Sequence, residues 1–83
     1  MSEKLQVIIY DWRISNPPHH PDIKVLYGIP VNHPVVPSEF TMTSQIVNVN
    51  FKRKEIETLN TMYLLDGPEL PLYDFHNRLK ELM

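Results

Sequence analysis

The chain has 83 residues, eight lysines and arginines against ten aspartates and glutamates, and no cysteine. That length holds a single domain with a thin core, because a short chain buries a smaller fraction of its surface than a long one. A formal net charge of −2 offers no broad basic field to a phosphate backbone and excludes a large nucleic-acid groove, while the lack of cysteine excludes disulfide support.

Packing against a second copy is the remaining way to supplement such a core, so a homo-oligomer is expected. The opening MSEKLQVIIYDW has a short apolar run followed by acidic and polar residues, unlike a signal peptide. No run approaches the ~20 apolar residues that cross a bilayer. A cytoplasmic protein without membrane contact is expected, in keeping with the absence of cysteine.

Residues 5–14 are rich in β-branched and aromatic types and read as a strand, with Val7 and Ile9 on one face and Ile8, Tyr10 and Trp12 on the other. Asn16-Pro17-Pro18-His19-His20-Pro21 must leave the sheet, since proline removes the ladder donor. A second strand over residues 23–31 carries Ile23, Val25, Tyr27 and Ile29 on one side, bending near Gly28 or ending at Pro30. Residues 32–39, with two more prolines, read as an extended connection.

The centre of the chain is a hairpin. Strands over residues 42–51 and 56–65 flank a charged tip at Lys52-Arg53-Lys54-Glu55, and both carry threonine, serine and asparagine within apolar sequence. Asp66-Gly67-Pro68 then stops the sheet. Over residues 71–82, Leu72, Phe75, Leu79 and Leu82 recur at helical steps, with Pro71 suited to the first turn and Asp74 and Lys80 suited to the dipole. The expected fold class is α+β: an antiparallel sheet of about four strands with one C-terminal amphipathic helix, all in one domain over residues 1–83.

Candidate chemistry is sparse. His19 and His20 are adjacent, have no nearby carboxylate or histidine at ligand spacing, and carry no metal signature; His33 before Pro34 suits a loop cap or a ligand contact, and His76 sits beside the helical stripe. Thr43 and Ser44 lack the glycine-rich elbow of an activated nucleophile, so no catalytic residue, cofactor or metal is expected. Thr43, Ser44, Thr58, Asn60 and Thr61 form either ordinary cross-strand bonds or a polar row for a ligand. Lys52, Arg53 and Lys54 are a solvated tip or a local phosphate contact, and Arg78 has a planar guanidinium able to stack on a base and bind phosphate. Phe51, next to that tip, stands apart from the other aromatics, whose default place is the core.

Tyr27-Gly28, Val31 with His33-Pro34, Thr43-Ser44 with Ile46, and Thr58-Leu59-Asn60-Thr61-Met62-Tyr63-Leu64 resemble the pattern of a family of small phage and prophage proteins. Pro37-Ser38-Glu39 stands where that pattern has an aspartate-glycine turn. In layout and approximate spacing the chain also resembles the Thoeris anti-defence sponges, phage proteins that sequester cyclic-nucleotide-type immune signals without degrading them. That resemblance implies a sheet-and-helix protomer assembled with its copies around a ligand at the subunit boundary. It carries ligand roles onto Phe51 and Asn60 of the hairpin and Arg78 of a neighbour's helix, with Thr43 and Ser44 beside them.

The expected function is therefore a non-enzymatic capture of a cyclic nucleotide or cyclic ADP-ribose-type signal. The alternatives are an interaction protein that directly inhibits a host or defence protein, and a small phosphoester hydrolase.

Overall fold

The computed structural model describes residues 4–82. Five strands, β1 (Leu5–Ser15), β2 (Val25–Val31), β3 (Thr41–Asn50), β4 (Glu55–Thr58) and β5 (Thr61–Asp66), precede a helix α1 (Leu72–Leu79) that tightens into a 3-10 turn over Lys80–Leu82. The α+β class holds, but the sheet has five strands rather than about four, and it closes into a small barrel in the order β1-β2-β3-β4-β5. Sequential neighbours are antiparallel; the closing β1–β5 pair is parallel, with Leu5 opposite Thr61 and Tyr10 opposite Asp66. An odd number of strands that reverse at every connection must close in this way, because the first and the fifth run in the same direction.

The fifth strand comes from a division of the segment expected as one strand over 56–65. The Thr58 hydroxyl accepts the Thr61 N–H at 3.2 Å and donates to the Thr61 carbonyl at 3.0 Å, folding Leu59-Asn60 into a tight turn. Both threonines are buried, and each satisfies the other's polar groups.

Simple alternation fails in β1. Tyr10 pairs with Ile29 and Arg13 with Tyr27, so β1 takes one more step than β2 over that interval, and Asp11 sits in the left-handed region at φ 52°. This bulge reverses the phase of the strand. Val7 and Ile9 point inward before it, Trp12 points inward after it, and Ile8 and Tyr10 are left outside. Trp12 therefore does not share a face with Ile8 and Tyr10, contrary to the expectation from alternation.

β2 is the shared wall of two apolar clusters. Leu26 joins Val7, Ile9, Trp12, Ile56, Tyr63 and Leu65 inside the barrel. Val25, Tyr27 and Ile29 lie in the other cluster with Phe40 and Phe75. The Tyr27 and Phe75 rings meet edge to face at 5.1 Å, and the Arg13 guanidinium lies 5.7 Å from the Phe75 ring centroid while donating to the Leu70 carbonyl at 2.8 Å. Only part of the expected helical stripe is used. Phe75 is buried and Leu79 partly so, whereas Leu72 is 53 % and Leu82 45 % exposed. β2 also runs through Gly28 and Pro30 to Val31 without ending at the proline. No helix among the described residues is long and apolar enough to cross a membrane.

Candidate functional site

The first strand begins, the second ends, the third begins, and the β4–β5 turn lies at one end of the barrel, which is called here the Leu5 end. A cleft of about 460 Å³ opens there between the 33–36 segment, the start of β3 and the Asn60-Thr61 turn, with Tyr63 among its lining residues. Its lining side chains are the imidazole of His33 and a set of apolar groups, hydroxyls and an amide.

His33 organises the loop that borders this cleft. Its Nδ1 accepts N–H bonds from Val35 and Val36, both at 3.1 Å. A ring nitrogen that accepts cannot carry the proton in the neutral imidazole, so the hydrogen resides on Nε2, which points to Thr61 Oγ1 at 3.5 Å. The ring thus caps its own loop on one side and offers a donor to the cleft on the other.

Thr43 sits where the β2–β3 register slips. Its Oγ1 accepts the N–H of the fully buried Leu26 at 3.1 Å and donates to the Ser44 carbonyl at 3.0 Å, so this hydroxyl completes the bulge. Ser44 and Asn60 line the same cleft. Burial raises the Tyr63 phenol above its ordinary 10.0, with the Thr61 hydroxyl acting in the opposite direction, and burial raises Tyr27 as well.

These two phenols set an alkaline limit on the fold. Each binds its proton more tightly in the folded chain, so their contribution is complete below the unfolded value near 10 and is lost as pH rises from there through the folded values. Stability to urea is expected to fall above pH 10 more steeply than in a Tyr27→Phe, Tyr63→Phe double variant. Equal alkaline slopes for the two proteins would show that the tyrosines carry none of the loss.

The remaining sequence-predicted residues lie elsewhere. Phe51 is at the opposite, Trp12 end of the barrel, 62 % exposed, beside a slot of about 420 Å³ shared with Trp12, Lys54, Leu65 and Pro68. Its hairpin tip is closed by Asn50 Oδ1 accepting from the Arg53 N–H at 3.2 Å and by the Phe51 carbonyl accepting from the Lys54 N–H at 3.2 Å, with Lys54 at φ 55°. Arg78 is on the side wall, donating to Asp11 Oδ2 at 2.8 Å and Glu81 Oε1 at 3.2 Å. One protomer therefore gathers Thr43, Ser44 and Asn60 and leaves Phe51 and Arg78 apart.

Sequence reasoning misses Tyr63 as a cleft residue and gives Thr61 no role beyond the polar row. The available signal is parity: Thr61 and Tyr63 share a face of one strand, and the His33-Pro34 pair lies in the loop that reaches it. His19, His20 and His76 are exposed and lie away from this cleft. Neither family models, nor curated proteins, nor solved structures match the chain.

Proposed function

We propose that this chain is a non-enzymatic binding protein that captures a nucleotide-type immune signal, of the cyclic nucleotide or cyclic ADP-ribose class, as a phage-type anti-defence protein in the bacterial cytoplasm. The observation that carries the proposal is the cleft in which His33 is fixed as an Nε2–H donor beside Thr61, Ser44 and Asn60. Its volume of about 460 Å³ falls in the ligand-pocket range of about 300–1,000 Å³. Its polar groups suit the hydrogen-bonding edge of a base or ribose. With Nδ1 occupied by two amides, His33 lacks the free lone pair of a general base, which favours binding over hydrolysis.

Phosphates must find their cations outside that neutral cleft. In a homo-oligomer a neighbouring copy supplies them from Lys52, Lys54 or Arg78, with Phe51 stacking on the base. Arg78 would exchange the Asp11 carboxylate for phosphate, a substitution that keeps its charge-assisted bonds.

Incubation with a panel of cyclic di- and trinucleotides and cyclic ADP-ribose isomers is expected to raise the melting temperature for one class, with the compound recovered at unchanged mass after denaturation. Asn60→Ala should weaken that capture about ten-fold, the worth of one or two hydrogen bonds. Arg78→Ala should weaken it while leaving the barrel folded, because its ion pairs are more than a third exposed. An altered mass would establish hydrolysis instead. No thermal shift with any member of the panel would remove capture and favour direct inhibition of a defence protein.

A further inference from the structure

The barrel wall has an open seam. β2 pairs with β3 only between Thr41 and Gln45, and the Ile46 N–H donates to the Lys24 carbonyl at 2.8 Å. Beyond that point Val47 is the extra residue of a bulge and Asn48–Asn50 pair with β4 alone among the described residues, which leaves the other backbone edge of β3 free. A groove of about 520 Å³ runs along this edge, between the Asp22–Lys24 segment and residues 45–49 of β3.

A free strand edge is a template for another strand, and native edges are commonly guarded by lysine, proline or inward charge. This one holds no charge and no proline from Val47 to Phe51; its one protective device is the β-bulge at Val47, and Asn48–Phe51 beyond it carry none. Residues opposite one another share a face of the sheet. Val49 lies opposite Ile56 on the inward side, while Asn48 and Asn50 lie opposite Glu57 and Glu55 on the outward side. Val49 is nevertheless 37 % exposed, and Phe51, two residues on, is 62 % exposed.

We infer that this edge is a self-association surface, on which a second copy adds its own β3 antiparallel with Val49 on the two-fold axis. An antiparallel pairing must match residues whose side chains share a face, and a two-fold about Val49 does so. Val49 meets its twin on the inward side, Asn48 meets the neighbour's Asn50 on the outward side, and the two Phe51 rings flank the valine pair. The same register carries the neighbour's Lys52–Lys54 tip toward Asp22 at the groove, which forms no ion pair among the described residues. Lys24, also in the groove, is turned to Asn16 Oδ1 at 3.4 Å. Assembly by this route needs no ligand, so it stands or falls apart from nucleotide capture.

Light scattering coupled to gel filtration tests it on the ligand-free chain. The expected mass is twice the 9.8 kDa of one chain. Val49→Lys places two lysines against each other across the axis, and should raise the concentration for half-assembly about ten-fold or more without changing the circular dichroism spectrum. Val49→Glu should do the same, and an equimolar mixture of the two variants should regain the doubled mass. A monomeric wild-type chain at about 1 mM, an assembly indifferent to Val49→Lys, or a mixture that stays monomeric would each overturn the inference. Monomeric wild-type protein would leave the edge for a strand of a different protein.

Discussion

Urea unfolding of a Trp12→Ala variant, followed by circular dichroism, is expected to show a loss of about 3–5 kcal/mol, the usual cost of removing a buried aromatic. A domain of 83 residues has in total about 4–12 kcal/mol, so the variant should be largely unfolded if the wild type lies at the low end. The magnitude follows from where the bulge puts this side chain. It is 7 % exposed among Ile9, Leu26, Ile56 and Leu65, and its indole N–H donates to the Gly67 carbonyl at 3.0 Å. The Trp12 carbonyl in turn accepts the Leu70 N–H at 2.8 Å, so the segment leading into α1 is seated against this residue on both counts. Trp12→Phe keeps most of the apolar contact but deprives the Gly67 carbonyl of its partner, and should cost about 1–2 kcal/mol. Simple alternation along β1 would put Trp12 outside with Tyr10, where alanine costs under about 0.5 kcal/mol. A loss that small would refute the phase reversal at Asp11.

That bulge marks the boundary of what the residues reveal on their own. Periodicity makes much of the order of strands and helix legible, because alternation in β2, where Val25, Tyr27 and Ile29 share one cluster, and the helical stripe through Phe75 and Leu79 are local properties. The reversal at Asp11 is not, since aspartate is one of several residue types that tolerate the left-handed region and its presence in a strand does not say that a bulge falls there. Nor is the β4–β5 turn, which depends on one threonine hydroxyl bonding to another residue's backbone in a buried place. Barrel closure is less visible still, as nothing in either β1 or β5 announces a parallel partner 56 residues away.

The same distinction runs through the site. Thr43, Ser44 and Asn60 meet because all three lie where strands begin or turn at the Leu5 end. Phe51 lies beyond the far end of β3, and at about 3.3 Å per residue the strand carries it to the opposite end of the barrel. Within one chain Phe51 and Asn60 therefore border different clefts. Arg78 is likewise diverted, because the bulge that turns Trp12 inward presents Asp11 to it.

Gly28→Ala is expected to cost about 1–3 kcal/mol, and Gly28→Val more, through overpacking rather than through lost flexibility. A Cβ at Gly28 would stand 2.7 Å from Ile9 Cγ1, 2.8 Å from Ile9 Cδ1 and 3.1 Å from the Tyr10 carbonyl oxygen. Ile9 has no exposed surface and cannot yield toward solvent. Gly28 thus serves as the space into which Ile9 packs, not as the bend that its place in the sequence suggests. A double-mutant cycle separates the two roles. Ile9→Ala alone should cost about 2–5 kcal/mol by leaving a cavity, and adding Gly28→Ala should then be far less harmful, with a coupling of about 0.5–3 kcal/mol. A glycine needed for bending would give additive losses, since truncating Ile9 does nothing to restore backbone freedom at position 28. Urea midpoints of the two single variants and the double variant decide between the two, and additivity would mean that the contact with Ile9 is not what excludes a side chain there.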